Sequence, residues 1–561
     1  MPTLVCVPIP VDDIERALAD ANQAKLLGAD LVELRIDSYF SGSEGDEQDT
    51  RRVAELQGLI TDCPLPVILT CRSAEEGGDY DGDEVDRVSL LEKLCVNTDH
   101  PPAYLDFELA SYQKSANIRQ KINLCVDHPK QAREVRTRLI LSMHDFDGRP
   151  ANLMRRLADA WSEPAASVVK FAYRARSIRD NLEIFEILSD APRPTIGLGM
   201  GEFGLMSRVL APKFSGFLTF ASLRDEAATA PGQPTISDLL GMYHFRSIGK
   251  DTRLYGVIGW PVTQSMSPLI HNAGFEARGW DGVYLPMPFV ADSSDPEVTK
   301  ASFMTSTDLL FGSEDLHLAG ASVTIPFKEL AASDVGGVAF AEPDDAVIDI
   351  GACNTLVTGW HHEDQLNYVK QSNTDAAAIW KLVADALGEA CGSSIAIIGA
   401  GGVASAAAYI FARACAKVSV YSRTFDRTKL LVDKVNSVDG SDASESQWVS
   451  AHHLEDIADS NADVYINCTP VGMTGGPDPE GLSIPVHELA GKLPPETVFF
   501  DTVYNPIETP MLKAAREYGF RTIDGVEMFV RQAAAQFELW TGEQAPVQLF
   551  DRLVREKLNA N

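Results

Sequence analysis

The first chemical signal in this sequence is a set of ionisable residues at the ends of short apolar runs: Glu33, Arg35 and Asp37 in VELRID, Arg72 in ILTCR, His144 in LILSMHD and Lys170 in SVVKF. A lone arginine or aspartate at the end of a strand is ordinarily a surface charge; the coincidence of so many is what calls for chemistry. Lys170 stands among Val168, Val169 and Phe171, where desolvation penalises an ammonium and makes a free amine available. Such an amine attacks a ketone, and the protonated imine then draws electrons from the adjacent carbon, so that an α-proton can be removed and a β-hydroxyl expelled. The step needs a base that titrates near neutrality, and His144, one run earlier, is the candidate. Arg35, Arg72 and Arg208 have the guanidinium geometry to clamp a carboxylate and hydroxyls.

A second set lies further along. The run Ile395 to Ile398 leads into Gly399, Ala400, Gly401 and Gly402 and then the small-residue helix Val403 to Ala412, which reads as a nucleotide-binding βα unit, with a tight packing turn as the plainer alternative. The next run ends in Ser422, Arg423, Thr424, Phe425, Asp426 and Arg427. A carboxylate holding ribose hydroxyls would stand there in an NAD enzyme; two guanidiniums and two hydroxyls suit a 2′-phosphate, so NADP is the expected cofactor, with Asp426 turned to solvent or paired to an arginine. Lys328 in SVTIPFKE can give a proton to a carbonyl oxygen under reduction, and Asp375 in SNTD can pair with that ammonium.

These residues must be carried by regular elements. In the first 220 residues, branched apolar runs begin near Leu4, Leu31, Val67, Ala103, Leu139, Val168, Thr195 and Phe217, separated by stretches of helical periodicity. Eight such alternations predict an α/β fold, a (β/α)8 TIM barrel with its chemistry at the strand ends. An open doubly wound sheet is the alternative, weakened by the lack of a glycine-rich loop after the first run. A helix over 236–245 and a polar stretch over 247–252 precede a new strand at Leu254. The expected division is therefore a barrel over 1–246, a substrate lobe from 253–376 and 525–561, and a Rossmann nucleotide lobe over 377–524. Acidic stretches at 41–50, 291–297 and 440–446 read as solvated loops.

Composition bounds the rest. The 561 residues allow about three to four domains. With 48 Lys plus Arg against 80 Asp plus Glu, the formal charge of −32 is the wrong sign for a nucleic-acid or anionic-membrane partner. Nine scattered cysteines, without a CxxC pair, suit a reducing compartment. The strand-like run at Leu4 leaves no room for a leader, and the longest apolar stretch is cut by Arg413, so the expectation is a soluble chain, cytoplasmic, or plastid if a leader has been removed. No metal is expected: His361 and His362 lack a third ligand at regular spacing.

The motifs VELRID, TCRSAEEGG, SMHDF, SVVKF and ATAPGQ resemble those of type I 3-dehydroquinate dehydratases over about residues 1–245. The resemblance implies that Lys170 is the Schiff-base lysine, His144 the general acid/base and Glu76 its orienting partner, with Glu33, Arg35, Arg72, Arg208, Thr229 and Gln233 contacting substrate. Thr229 stands where that family usually has serine. GWPVTQSMSPLIHN, GACNTL, NCTPVGM, YNPIETPML and DGVEMFVRQAAAQF resemble shikimate dehydrogenases over about residues 253–561. This implies a catalytic pair of Lys328 and Asp375, substrate contacts at Ser265, Ser267, Thr324, Asn354, Tyr504, Gln532 and Gln536, and further cofactor contacts at Thr502 and Gly525. Gln264 and Ala376 depart from the usual residues there. Together the halves resemble the plant-type bifunctional family. The implied partners are the small molecules 3-dehydroquinate, 3-dehydroshikimate and shikimate, and a monomer is compatible with this reading. The alternatives are a quinate-tolerant dehydrogenase and a catalytically silent sensor.

Overall fold

The computed structural model of the protein describes residues 2–40, 46–96, 100–130, 135–224, 232–262, 264–333, 335–361, 366–388, 391–414, 416–438 and 448–560. Thr229, His362 and the stretches 41–45 and 440–446 lie outside the described residues. Contacts divide the chain into two compact units, Met1–Thr252 and Arg253–Asn561. No described helix is long and apolar enough to cross a membrane.

The first unit is a ring of parallel strands: β1 (Leu4–Pro10), β2 (Leu31–Arg35), β3 (Val67–Thr70), β4 (Tyr104–Glu108), β5 (Arg138–Asp145), β6 (Ala166–Arg174), β7 (Thr195–Met200) and β8 (Leu218–Phe220). Each pairs with the next from β1 to β7, and β8 pairs back onto β1 through Leu4↔Leu218 to Cys6↔Phe220. Between β7 and β8 no ladder forms; one backbone bond, from Phe217 N–H to the carbonyl of Thr195 at 2.8 Å, spans the seam. The ring is therefore an eight-stranded barrel closed at all but one junction.

The strand period of two sorts its interior into layers. At the amino-terminal end the inward positions are Cys6, Leu31, Ile68, Tyr104, Ile140, Val168, Ile196 and Leu218, which belong to one packed apolar cluster. Two residues further along the central strands the same face carries Glu33, Thr70, Asp106, Ser142 and Lys170, all buried. Two further come Arg35, Arg72, Glu108 and His144. The chain thus changes from hydrocarbon to charge within one barrel, along the strand direction.

Two local readings of the sequence are corrected. Residues 46–50 are not loop but the start of a helix, Asp46–Asp62. The helix expected over 236–245 is shorter and wider: a π-turn at Asp238–Met242, in which Tyr243 N–H reaches the carbonyl of Asp238 (2.9 Å), begins where the Thr235 hydroxyl accepts from Asp238 N–H.

The second unit holds two six-stranded sheets. The first has the order β10-β9-β11-β13-β14-β12, from β9 (Arg253–Gly259), β10 (Gly282–Pro288), β11 (Leu318–Val323), β12 (Phe340–Pro343), β13 (Thr355–His361) and β14 (Leu366–Ser372). The second is all parallel, in the order β17-β16-β15-β18-β19-β20, from β15 (Ser394–Ile398), β16 (Lys417–Ser422), β17 (Val449–His453), β18 (Val464–Asn467), β19 (Val498–Asp501) and β20 (Arg521–Ile523). That is the 3-2-1-4-5-6 order of a dinucleotide-binding sheet, with its switch point between β15 and β18. Alternate residues enter opposite cores: Ile395, Ile397, Ile466 and Phe500 one, Ala396, Ile398, Tyr465 and Phe499 the other. A sheet buried on both faces explains runs that are apolar without alternation.

After β20 the chain returns to the first sheet. Asp524 caps the helix Gly525–Thr541, its carboxylate accepting from Glu527 N–H at 3.1 Å, and the helix Val547–Asn559 follows. Val530, Ala533, Phe537, Trp540, Phe550 and Val554 pack with Tyr255, Ile270, Phe275 and Tyr284. Phe537 is fully buried, 5.6 Å from the Phe275 ring and 5.9 Å from that of Phe550. Phe537→Ala is expected to destabilise this lobe by about 3–5 kcal/mol, seen as an earlier transition in urea unfolding followed by tryptophan fluorescence. An unchanged midpoint would show that the return of the chain contributes little to the core.

Candidate active sites

At the carboxyl end of the barrel, β6 presents Lys170, 5% exposed, with its ammonium 3.0 Å from Asp106 Oδ2 and 3.5 Å from Glu33 Oε1, and 4.5 Å from the centre of the Phe220 ring. The apolar neighbours read from the sequence are present in the strand, but the fold adds two carboxylates from β2 and β4. On β5, His144 Nδ1 lies 3.0 Å from Glu76 Oε2, and the same oxygen accepts from the His144 backbone N–H at 3.1 Å. Burial, then the positive charges of Arg72 and Lys170, hold the imidazole well below its usual titration range, while burial pushes the Glu76 carboxyl up to about 7.

Glu76 reaches His144 because the turn carrying it is unusually tight. Gly77 has φ +76°, and a Cβ there would meet the Phe146 ring at 2.4 Å; one on Gly78 would fall 2.1 Å from the carbonyl oxygen of Arg72. Two glycines after two glutamates are what this close return over the strand end requires.

The arginines differ in their freedom. Arg35 is held bidentately by Asp37, at 2.9 and 2.8 Å. Arg72, 3% exposed, donates to Ser142 Oγ and Asp106 Oδ1, both at 2.8 Å, and lies 3.2 Å from Glu108; burial disfavours its charge, but Asp106 and Glu108 outweigh that. The clamp expected of Arg72 is thus already engaged within the protein. Arg208, in the short helix Leu205–Val209 after β7, is the exception: 2% exposed, with a buried Nε that has no hydrogen-bond partner and no carboxylate within ion-pair distance among the described residues. Burial alone lowers it, to about 10. An uncompensated buried guanidinium is a costly arrangement that an anionic ligand would relieve. Gln233 is half-buried beyond β8.

Sequence reasoning missed Asp106, Glu108 and Ser142. Asp106 is the hub: burial works against its ionisation, yet Arg72 and Lys170 hold its carboxyl well below the usual range, and Ser142 Oγ donates to it at 2.6 Å. The signal was present in YLDFE, where the two acids stand at alternate positions of a strand.

In the second unit Lys328 Nζ lies 2.6 Å from Asp375 Oδ2. Lys328 opens the helix Lys328–Ser333; Asp375 sits in the first turn of the helix Thr374–Leu387, capped by Asn373, whose side chain accepts from Ala376 N–H. Around them the expected contact residues divide. Ser265 Oγ accepts from Ser267 N–H at 3.2 Å, Thr324 is half-buried at the end of β11, and Tyr504 stacks on Phe529 at 4.8 Å. Gln532 donates to the carbonyl of Phe529 at 3.0 Å. Asn354 and Gln536 are turned into the protein: Gln536 Nε2 donates to Asn354 O and Thr355 Oγ1 at 3.1 Å, its Oε1 accepts from Ser322 Oγ at 3.0 Å, and Asn354 Oδ1 accepts from Thr374 N–H at 2.8 Å. Asn354 thus braces the helix bearing Asp375, and Gln536 holds Asn354 and Thr355 from behind.

The glycine-rich turn has the shape a pyrophosphate needs. Gly399 has φ +124°, and nothing lies within 4 Å of a Cβ placed on Gly401, which caps the helix Gly402–Arg413. Ala400 is half-buried and Val403 follows in the first turn. At the end of β16, Ser422 Oγ accepts from Thr424 N–H, and Arg423, Thr424, Asp426 and Arg427 are exposed, neither arginine paired to a carboxylate among the described residues. These residues fit an NADP phosphate. Thr502 donates its hydroxyl to the carbonyl of Asn467 at 2.8 Å, and the close approach at Gly525 is to Val503, whose carbonyl oxygen lies 2.2 Å from a Cβ built there.

Residues 5–250 match the type I 3-dehydroquinase family, residues 257–356 the shikimate dehydrogenase substrate binding domain and residues 525–555 the shikimate 5′-dehydrogenase C-terminal domain. The bifunctional 3-dehydroquinate dehydratase/shikimate dehydrogenase, chloroplastic, of Arabidopsis thaliana is 34% identical over 567 residues, covering 98% of this chain and 84% of the relative. The chain belongs to the bifunctional 3-dehydroquinate dehydratase/shikimate dehydrogenase family. The shikimate dehydrogenase (NADP(+)) of Methanosarcina mazei is 34% identical over 308 residues, 55% of this chain and 99% of that one. A solved shikimate dehydrogenase in complex with NADP+ is 28% identical, covers 55% of this chain and 96% of its own, with a TM-score of 0.46.

For a family member the His144–Glu76 pair gives a pH signature. Burial pushes Glu76 up to about 7, so above that pH its carboxylate, an acceptor only, favours the tautomer that carries Nδ1–H and leaves Nε2 free, whereas the protonated carboxyl can instead donate to Nδ1. Dehydratase kcat is expected to rise through neutrality, and Glu76→Gln to be slower by roughly tenfold or more at pH 8 while converging on the wild type near pH 5.5, by the usual size of general-base effects. Parallel pH profiles would show that Glu76 does not orient the base.

Proposed function

We propose that the first unit dehydrates 3-dehydroquinate to 3-dehydroshikimate through an imine on Lys170, and that the second reduces 3-dehydroshikimate to shikimate with NADPH. The observation that carries this reading is the convergence, at one barrel end, of a buried lysine, a histidine held neutral beside a carboxyl, and an unpaired buried guanidinium.

The ammonium and the ketone condense to an iminium and one water: two protons leave with the carbonyl oxygen and the positive charge stays on nitrogen. Asp106 and Glu33, which pair with the ammonium, therefore pair equally with the iminium. His144 takes the α-proton, the electron pair moves toward the iminium nitrogen, and the same imidazole returns a proton to the departing β-hydroxyl, which leaves as water. A second water releases the product ketone and restores the amine. Arg208 is the partner for the substrate carboxylate, with Glu33, Arg35, Arg72, Thr229 and Gln233 around the ring. Arg72 acts chiefly by holding Asp106.

In the second unit the turn at Gly399 to Val403 would hold the pyrophosphate of NADP and Ser422, Arg423, Thr424 and Arg427 its 2′-phosphate, with Thr502 and Gly525 alongside. NADPH supplies the hydride equivalent when bound. Lys328 gives a proton to the carbonyl oxygen as charge develops there, and Asp375 fixes that ammonium and accepts from a substrate hydroxyl. Ser265, Ser267, Thr324, Tyr504 and Gln532 surround the ring; Asn354 and Gln536 position the helix that carries Asp375. Ser265 and Ser267 together favour shikimate over quinate. The substrate lobe in this reading is 253–376 with 525–561, and the nucleotide lobe 377–524.

Two experiments test this. Borohydride added with 3-dehydroquinate should attach substrate to Lys170, detected by peptide mass spectrometry, and absence of the adduct in folded, turning-over protein would remove the imine mechanism. Lys328→Ala should lower kcat for shikimate oxidation by roughly 10²- to 10⁴-fold with little change in NADP affinity; a loss confined to cofactor binding would assign Lys328 elsewhere.

A further inference from the structure

Arg87 lies in the helix Glu84–Val96, on the outer side of the barrel strands, and is 0% exposed among Val88, Leu91, Leu94 and Cys95 of the same helix. A buried ion-pair network taken as a whole can often be replaced by apolar side chains of similar volume at no loss of stability, so a guanidinium and its carboxylates in this apolar face call for a reason besides stability. Its contacts supply one. Arg87 lies 2.8 Å from both Glu84 Oε1 and Glu108 Oε2, donates to the carbonyl of Cys71 at 2.6 Å, and rests 4.8 Å over the Phe107 ring. Glu108, 1% exposed, is shared between Arg87 and Arg72 (3.2 Å); Arg72 is shared between Glu108 and Asp106 (2.8 Å); Asp106 is shared between Arg72 and Lys170 (3.0 Å). Charges of alternating sign thus run from Glu84 on the outer helix through β4 to the imine lysine, with Glu108 and Asp106 each between two cations.

We infer that Arg87 is a positioning residue for the dehydratase centre, acting through Glu108 and Arg72 to hold Asp106 and Lys170 in register. The inference rests on the reading of Lys170 as the imine lysine. Without Arg87, Glu108 keeps Arg72 and the Ser73 N–H (3.1 Å) as partners, draws the Arg72 guanidinium from Asp106 and Ser142, and leaves the network with one buried positive charge fewer. The groups that feel this are Lys170, faced by Glu33, Asp106 and His144; His144, faced by Glu76, Arg72, Lys170, Asp106 and Arg35; and Glu76, faced by Arg72, Glu108, Arg156 and Asp106. Arg87 itself is faced by Glu84 and Glu108, with Tyr80 and Cys71 nearby. A more negative field raises the proton affinity of His144 and Glu76, so the acidic limb of activity moves to higher pH.

In the full-length protein, Arg87→Met should lower dehydratase kcat roughly ten- to a hundredfold, the range for a small misplacement of reacting groups, with a smaller change in KM and the acidic limb displaced to higher pH. Glu84→Gln, which removes a negative charge from the far end, should displace the limb the opposite way, and Arg87→Lys should recover part of kcat. Arg87→Met with wild-type kcat and pH profile overturns the inference, as does a lowered Tm with an unmoved profile, which is what a purely structural residue gives. Should Arg87→Met not fold, an unmoved limb in Glu84→Gln overturns it. Borohydride trapping separates the two levels: no adduct on wild-type Lys170 removes the underlying reading, whereas equal trapping rates in wild type and Arg87→Met remove only the role of Arg87.

Discussion

The contact on which the barrel centre depends is the buried pair of Lys170 and Asp106. The proposed reaction at this lysine does not discharge it: ammonium and iminium carry the same positive charge, so the carboxylate that neutralises the resting state would also neutralise the intermediate. A site of this kind needs a permanent negative charge beside the nitrogen, and a permanent negative charge in a barrel interior needs its own cations. Removing one partner from a buried pair generally costs about 3–5 kcal/mol, which explains why Asp106 is fixed from three sides, by Lys170, Arg72 and Ser142. The hydrocarbon layer beneath them, from Cys6 to Leu218, supplies the cohesion that this polar layer does not.

The second unit also relies on a lysine beside an aspartate, at 2.6 Å, with the opposite use. Lys328 is half-buried at the start of a short helix, where the proposed role is to give a proton to a nascent alkoxide and regain one from water; Lys170, sunk within the ring, is proposed to form a bond to carbon instead. Depth and neighbours, rather than residue type, separate acid from nucleophile. Asp375 owes its position to Asn373 capping the same helix and to the buried amides of Asn354 and Gln536 beneath it.

Much of this was legible in the sequence because strands announce themselves by apolar runs and turns by glycine. The barrel strands begin within two residues of the expected starts, and the nucleotide helix begins one residue early, at Gly402. What escaped was of two kinds. Asp106 and Glu108 lie in a run taken as apolar, and only period-two counting along YLDFE would have placed both inside. The commitments of Gln536 and Asn354 join residues 182 positions apart, and no local pattern encodes such a partner. The surroundings of Lys170 were half legible for the same reason: its strand neighbours are local, its carboxylates come from two other strands.

The junction of β7 and β8 gives the barrel a mechanical asymmetry. Every other side of the ring is stitched by a ladder, whereas this side is crossed by one bond from a strand of three residues. Arg208 stands just past β7, on the side joined by that single bond, whereas Arg72, Asp106, His144 and Lys170 stand along the β3–β6 arc, where each strand is laddered to the next. The barrel is built like a vise with one lightly fastened jaw, and the lysine and histidine proposed to react sit on the other.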